Sequence, residues 1–130
     1  MKTESIMRTL EGLFVNVNLC TEEELNRVDT LVISRTDFDG TIMNVDYNDL
    51  LNFKKMFNLT IDRCMIDNEL MNILSNLSNL KRLTLINCDV IEDIKESFSK
   101  LNLKDLILLN IDFDLSYLIK DYDEIRLVFL

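Results

Sequence analysis

Histidine is absent from the 130 residues, and with it go the commonest general base near neutral pH, the commonest metal ligand and every Ser-His or Cys-His nucleophile pair. Chemistry, if there is any, falls to carboxylate, Lys, Tyr or Cys. Proline is also absent and glycine occurs only twice, so the usual punctuation of loops and helix ends is missing. Asn and Asp, as at Asn76, Asn79, Asn87, Asn102 and Asn110, are the residues left to turn the chain, because their short polar side chains bond nearby backbone and tolerate left-handed conformations. Three cysteines, Cys20, Cys64 and Cys88, are too few and too widely spaced for an all-cysteine zinc site, and their odd number fits a reducing compartment. They read as buried free thiols.

No apolar run approaches the ~18 residues needed to span a bilayer; the longest strongly apolar stretch is Leu106-Ile107-Leu108-Leu109. The first twenty residues carry Glu4 and Glu11 among their few apolar side chains and lack a signal-peptide core, so the expected location is cytoplasmic and no membrane contact is expected. What is present is 48% hydrophobic and 28% charged residues, a balance that fits one soluble domain over 1–130. The formal charge of -9 opposes direct binding to phosphate backbones, and the complementary partner is a protein with a basic surface.

Internal repetition organises the chain. Residues 56–66 read MFNLTIDRCMI and, 24 residues on, 80–90 read LKRLTLINCDV, with apolar residues at positions one, four, six and eleven and a cysteine at position nine of each. A third copy, LKDLILLNIDF at 103–113, follows after 23 residues with Ile111 at position nine. Weaker copies occupy 28–38 (VDTLVISRTDF), 10–20 (LEGLFVNVNLC) and 122–130 (YDEIRLVFL). Positions four and six are alternate residues of a short strand, so Leu59 and Ile61, Leu83 and Leu85, and Leu106 and Leu108 point to one side.

The pattern L-x-x-L-x-L-x-x-N/C-x-L resembles the leucine-rich repeat family over nearly the whole chain. The resemblance implies an α/β solenoid with a parallel β ladder on its concave side and helices or irregular segments on its convex side. It also implies that position nine turns the chain out of each strand. Two spacers read as amphipathic helices: Glu69 to Leu80, with Leu70, Ile73, Leu74, Leu77 and Leu80 on one face, and Val90 to Leu101, with Ile91, Ile94, Phe98 and Leu101. Thr21 and Glu24 have capping-box spacing ahead of a short helix to Val28.

The outward strand residues define the expected binding surface. Position five runs Phe14, Val32, Thr60, Thr84, Ile107 and Arg126, and position seven runs Asn16, Ser34, Asp62, Ile86, Leu109 and Val128. A solvated strand face is ordinarily polar, yet Ile86, Ile107, Leu109 and Val128 collect toward the C-terminal end, and these four are the candidate contact residues. The expected function is a non-catalytic protein-protein interaction module that uses the concave face or the C-terminal edge strand, an edge that also suits a homodimer. The alternative is a small acidic inhibitor of a basic nucleic-acid-binding protein, of the anti-restriction or anti-CRISPR type.

One string looks catalytic. LVISRTDFDGTI at 31–42 resembles the D-x-D-G-T signature of haloacid-dehalogenase-like phosphatases, a resemblance that implies Asp37 as nucleophile, Asp39 as general acid/base and a magnesium ion. Ser34, Arg35 and Thr36 separate its aspartate from the apolar strand, and the repeats leave little room for the rest of such a site. The acidic residues Asp112, Asp114, Asp121, Asp123 and Glu124 lack the order of a calcium loop. No catalytic residue, metal ligand or cofactor is expected.

Overall fold

The computed structural model describes residues 21–34 and 47–111 in full, together with the backbone of three further strands, Ile6–Arg8, Phe14–Val15 and Arg126–Phe129. The chain is α/β. Its main sheet has seven strands in the order β2-β1-β3-β4-β6-β8-β9. These are β1 (Ile6–Arg8), β2 (Phe14–Val15), β3 (Thr30–Ser34), β4 (Asn58–Asp62), β6 (Arg82–Ile86), β8 (Asp105–Leu109) and β9 (Arg126–Phe129). From β3 to β9 every neighbouring pair is parallel. Two-residue strands β5 (Met65–Ile66) and β7 (Asp89–Val90) pair in parallel beside it.

Alternation builds the core. In β4, β6 and β8 the second and fourth residues are buried and the others half-buried. Register stacks Leu31, Leu59, Leu83 and Leu106 in one column and Ile33, Ile61, Leu85 and Leu108 in the next. A parallel strand must be followed by a return crossover, and three short helices and a 3-10 turn supply it: α1 (Glu22–Leu25), the 3-10 segment Tyr47–Asn52, α2 (Asn68–Ser75) and α3 (Lys95–Ser99). They bury Leu25, Leu50, Leu70, Ile73, Leu74 and Phe98 in the same core as the strand columns. The opposite face of the sheet stays outward.

The helices are shorter than their apolar spacing suggests. Thr21 and Glu24 form the expected capping box at α1. Asp67 caps α2 by accepting from the Leu70 amide at 2.9 Å, but the helix stops at Ser75, because the Asn76 side chain bonds the Asn72 carbonyl and Asn79 reaches across to the Lys54 carbonyl. Leu77 and Leu80 are buried beyond its end. The second spacer is helical only over Lys95–Ser99: Asp89–Val90 has joined the small ladder, and Ile91, whose amide bonds the Ile66 carbonyl, is 55% exposed rather than part of a buried face.

Two outer copies depart from the expected ladder, one in direction and one in register. β2, within the copy at 10–20, is antiparallel to β1, and β1 is antiparallel to β3, so this end of the sheet is not parallel. At the other end Leu127 and Phe129 register with Leu106 and Leu108, two residues from the expected alignment.

The chain leaves β4, β6 and β8 at position eight, not position nine. Arg63, Asn87 and Asn110 have φ of 56, 51 and 54°, and each directly follows β4, β6 or β8. Asn tolerates this left-handed region, and Asn110 Nδ2 donates to Asn87 Oδ1 at 2.6 Å. Arg has no such excuse, and its exposed 3.8 Å pair with Asp62 contributes little. Arg63→Asn is therefore expected to raise stability by about 0.5–1 kcal/mol through relief of the left-handed penalty. A higher urea midpoint at unchanged slope is the predicted reading; an equal or lower midpoint counts against it.

Candidate protein-binding face

Three rows of outward residues cross the parallel strands. The first runs Thr30, Asn58, Arg82 and Asp105, the second Val32, Thr60, Thr84 and Ile107, and the third Ser34, Asp62, Ile86 and Leu109. Polar members are tied to one another. Arg82 places Nε and a terminal nitrogen 3.2 and 3.1 Å from one Asp105 oxygen, and Ser34 Oγ donates to Asp62 Oδ2 at 3.4 Å. Such pairs brace neighbouring strands and fix the local charge.

Ile86, Ile107 and Leu109 come together. Ile86 and Leu109 are register partners, and Ile107 lies two residues from Leu109 on the same strand and face. All three are half-buried. Val128 is corrected: it registers with Ile107 in the second row and not with Leu109 in the third, although a shift of two residues keeps the same strand parity. Its side chain lies outside the described residues, as do Asn16 and the side chain of Phe14. Arg126, expected in the second row, registers with Asp105 in the first. The apolar triangle thus occupies β6 and β8; on β3 and β4 the same rows hold the half-buried Val32, Thr60, Asn58 and Asp62 and the buried Thr30 and Ser34.

No protein-family model and no curated protein matches this chain. Reading the face accordingly rests on its own chemistry. Asp37 and Asp39 lie outside the described residues, as do Asp112, Asp114, Asp121, Asp123 and Glu124. Among the described residues no group of three or more Cys, Asp or Glu is placed to hold a metal ion, and no helix is long and apolar enough to cross a membrane.

Position nine carries buried sulfur. Cys64 and Cys88 are free and buried; Cys88 Sγ donates to the Ile61 and Ile86 carbonyls, each at 3.3 Å, and Cys64 Sγ to the Asp62 carbonyl at 3.3 Å. Burial pushes the Cys88 thiol up from 9.0 to about 11. Tyr47 is half-buried against them, its hydroxyl donating to the Met65 carbonyl at 3.4 Å, and burial first, then the neighbouring Cys64, raises its pKa as well. Thiols so placed are poor nucleophiles and serve as hydrogen-bonded core.

Two features escaped the sequence reading. The small β5–β7 ladder has only two residues per strand, too short for any periodic signal. The position-two column, Asp29, Phe57, Lys81 and Lys104, was visible at fixed spacing in the copies but lies ahead of the strand, outside the alternation used to choose facing residues. Backbone bonds join it: the Phe57 amide donates to the Asp29 carbonyl, Lys81 to Phe57 and Lys104 to Lys81.

Proposed function

We propose that the chain is a leucine-rich-repeat solenoid acting as a non-catalytic protein-binding module, with the outward face of β6 and β8 as its contact surface. The repeat spacing and the parallel register of the leucine columns support the solenoid reading. The observation that carries the function is the triangle Ile86, Ile107 and Leu109, half-buried on a sheet face whose other described members are mostly polar. Apolar side chains on a sheet face opposite the one against which the described helices pack favour contact with a protein surface. Val128 extends the proposed contact, and β9, at one margin of the sheet, is where pairing with a second copy is proposed.

Affinity capture from a cytoplasmic extract tests this reading. The wild-type chain is expected to retain a protein partner through a salt wash, and Ile107→Asp to lower its recovery by more than about tenfold, the scale of a central contact residue. Unchanged urea unfolding keeps the variant interpretable; equal recovery by the two chains rejects the contact surface. A differently tagged copy in the same extract reads self-pairing. The acidic-inhibitor reading draws on a separate observation: residues 62–69 and 89–96, where the chain leaves β4 and β6, carry seven carboxylates and two cations. A partner released by moderate salt, with Ile107→Asp still binding it, favours that second reading.

A further inference from the structure

Parallel strands put all their starts at one end of the sheet and all their exits at the other. The exits of β4 and β6 are acidic. The segments leading into β4, β6 and β8 are the reverse: residues 54–57, 76–82 and 99–105 carry Lys54, Lys55, Lys81, Arg82, Lys100 and Lys104 against the single carboxylate Asp105, while Asp29 ahead of β3 marks the acidic end of the same column. A chain of net charge -9 therefore has a basic rim along the starts of β4, β6 and β8.

The charges on this rim differ in availability. Arg82 is committed to Asp105, and Lys54 makes an exposed 3.3 Å pair with Glu22. Lys55 and Lys104 are exposed, and the half-buried Lys81 holds only a long 3.5 Å bond to the Asn102 carbonyl among the described contacts. Beside them Phe57 is 44% exposed, one of four large apolar side chains left open among the described residues. Phe57, Lys81 and Lys104 each precede a successive parallel strand in one hydrogen-bonded column, so they repeat close to the inter-strand spacing of about 4.8 Å.

That spacing selects a partner. Glutamates three residues apart on a helix advance about 4.5 Å along its axis, so an i, i+3 pair meets neighbouring members of the column nearly in step. An extended peptide repeats its same-face side chains at about 6.6 Å and falls out of step. Nucleic acid is disfavoured on another ground: its dense charge, one per about 1.7 Å of duplex, meets the repulsion of the whole acidic chain, whereas a short peptide meets mainly the local rim within a Debye length of about 8 Å.

We propose that the basic rim at the strand starts is a docking site for an acidic amphipathic helix of a protein partner, whose carboxylate row pairs with Lys81 and Lys104 and whose adjoining apolar side chain packs on Phe57. This surface is distinct from the Ile86–Ile107–Leu109 triangle and stands or falls separately from it.

The test uses the full chain and three fluorescent probes. The first is a helical peptide of about 18 residues, long enough for a stable helix on an alanine background, with glutamates in i, i+3 pairs on one face and leucines beside them. The second has the same composition with the glutamates spread around the helix, and the third is an oligothymidylate of similar length. Saturable binding of the first peptide is expected, weakened about tenfold by Lys81→Glu/Lys104→Glu and severalfold by Phe57→Ala, and unmoved by Ile107→Asp. Lys55→Glu, at an exposed position, gives a second charge reversal and is expected to weaken binding in the same direction. No binding of the first peptide, equal binding of the second, or tighter binding of the oligonucleotide overturns the proposal.

Discussion

Leu83→Ala is expected to cost about 2–5 kcal/mol, enough to bring a domain of ordinary stability, roughly 5–15 kcal/mol, close to unfolding. Leu83 is fully buried in β6, the middle strand of the leucine column, with Leu59 and Leu106 as its register partners on either side. Both flanking strands are held in register by backbone bonds, so neither can move in to close the cavity that alanine would leave. The loss then combines the transfer of the missing methyl groups with an unrelaxed void. Ile91→Ala removes a side chain of the same volume from a site 55% exposed and should change stability by no more than about 0.5 kcal/mol. Urea unfolding of the two variants separates two arrangements. Comparable losses would mean that Ile91 belongs to a buried helix face, as its spacing suggested, and that the crossover from β7 to α3 is wrongly described.

That contrast shows where sequence pattern is informative here and where it is not. The copies at 56–66, 80–90 and 103–113 determine strand, face and register together, because a two-residue alternation with one face buried leaves no freedom to slip by one. A slip by two is invisible to the same pattern. Ile125 and Leu127 fit the core positions of the last copy as well as Leu127 and Phe129 do, and the register chooses the latter. Direction is equally invisible in a strand as short as Phe14–Val15, whose antiparallel pairing with β1 depends on contacts that apolar spacing does not encode. Helix length depended on Asn76 and Asn79, whose side chains bond backbone in competition with helix continuation. The contact triangle was legible because all three members lie on well-patterned strands. The left-handed exit was legible at Asn87 and Asn110 and hidden at Arg63, a residue type that gives no turn signal. The basic rim was hidden differently: its lysines are spaced by the repeat, but their meaning appears only when parallel topology gathers the strand starts on one end.

Raising the pH should destabilise the fold from pH 9 upward, and by pH 11 the contribution of Cys88 alone is on the order of 2 kcal/mol. Cys88 is buried, its thiol donates to two carbonyls from successive strands, and its pKa rises from 9.0 in the open chain to about 11. Burial is the main cause and the adjacent Cys64 adds to it, while backbone bonds involving Cys64 and Ile86 oppose the rise. Between these two pH values the unfolded chain releases the thiol proton and the folded chain keeps it. The folded state then binds more protons, and the unfolding free energy falls with rising pH. The stabilisation is complete below pH 9 and is lost as pH climbs through about 11. Tyr47, raised from 10.0 by its own burial, adds a second loss that begins about one unit higher. Urea unfolding from pH 8 to pH 11 should therefore show a steady decline in the wild type. Cys88→Ser, which keeps a hydroxyl donor for the Ile61 carbonyl and does not titrate, should decline less than the wild type between pH 9 and pH 11. A wild-type profile that stays level through pH 11 would mean that the thiol ionises as readily in the folded chain as in the unfolded one, a result incompatible with a sulfur enclosed between the second and third strands of the parallel ladder.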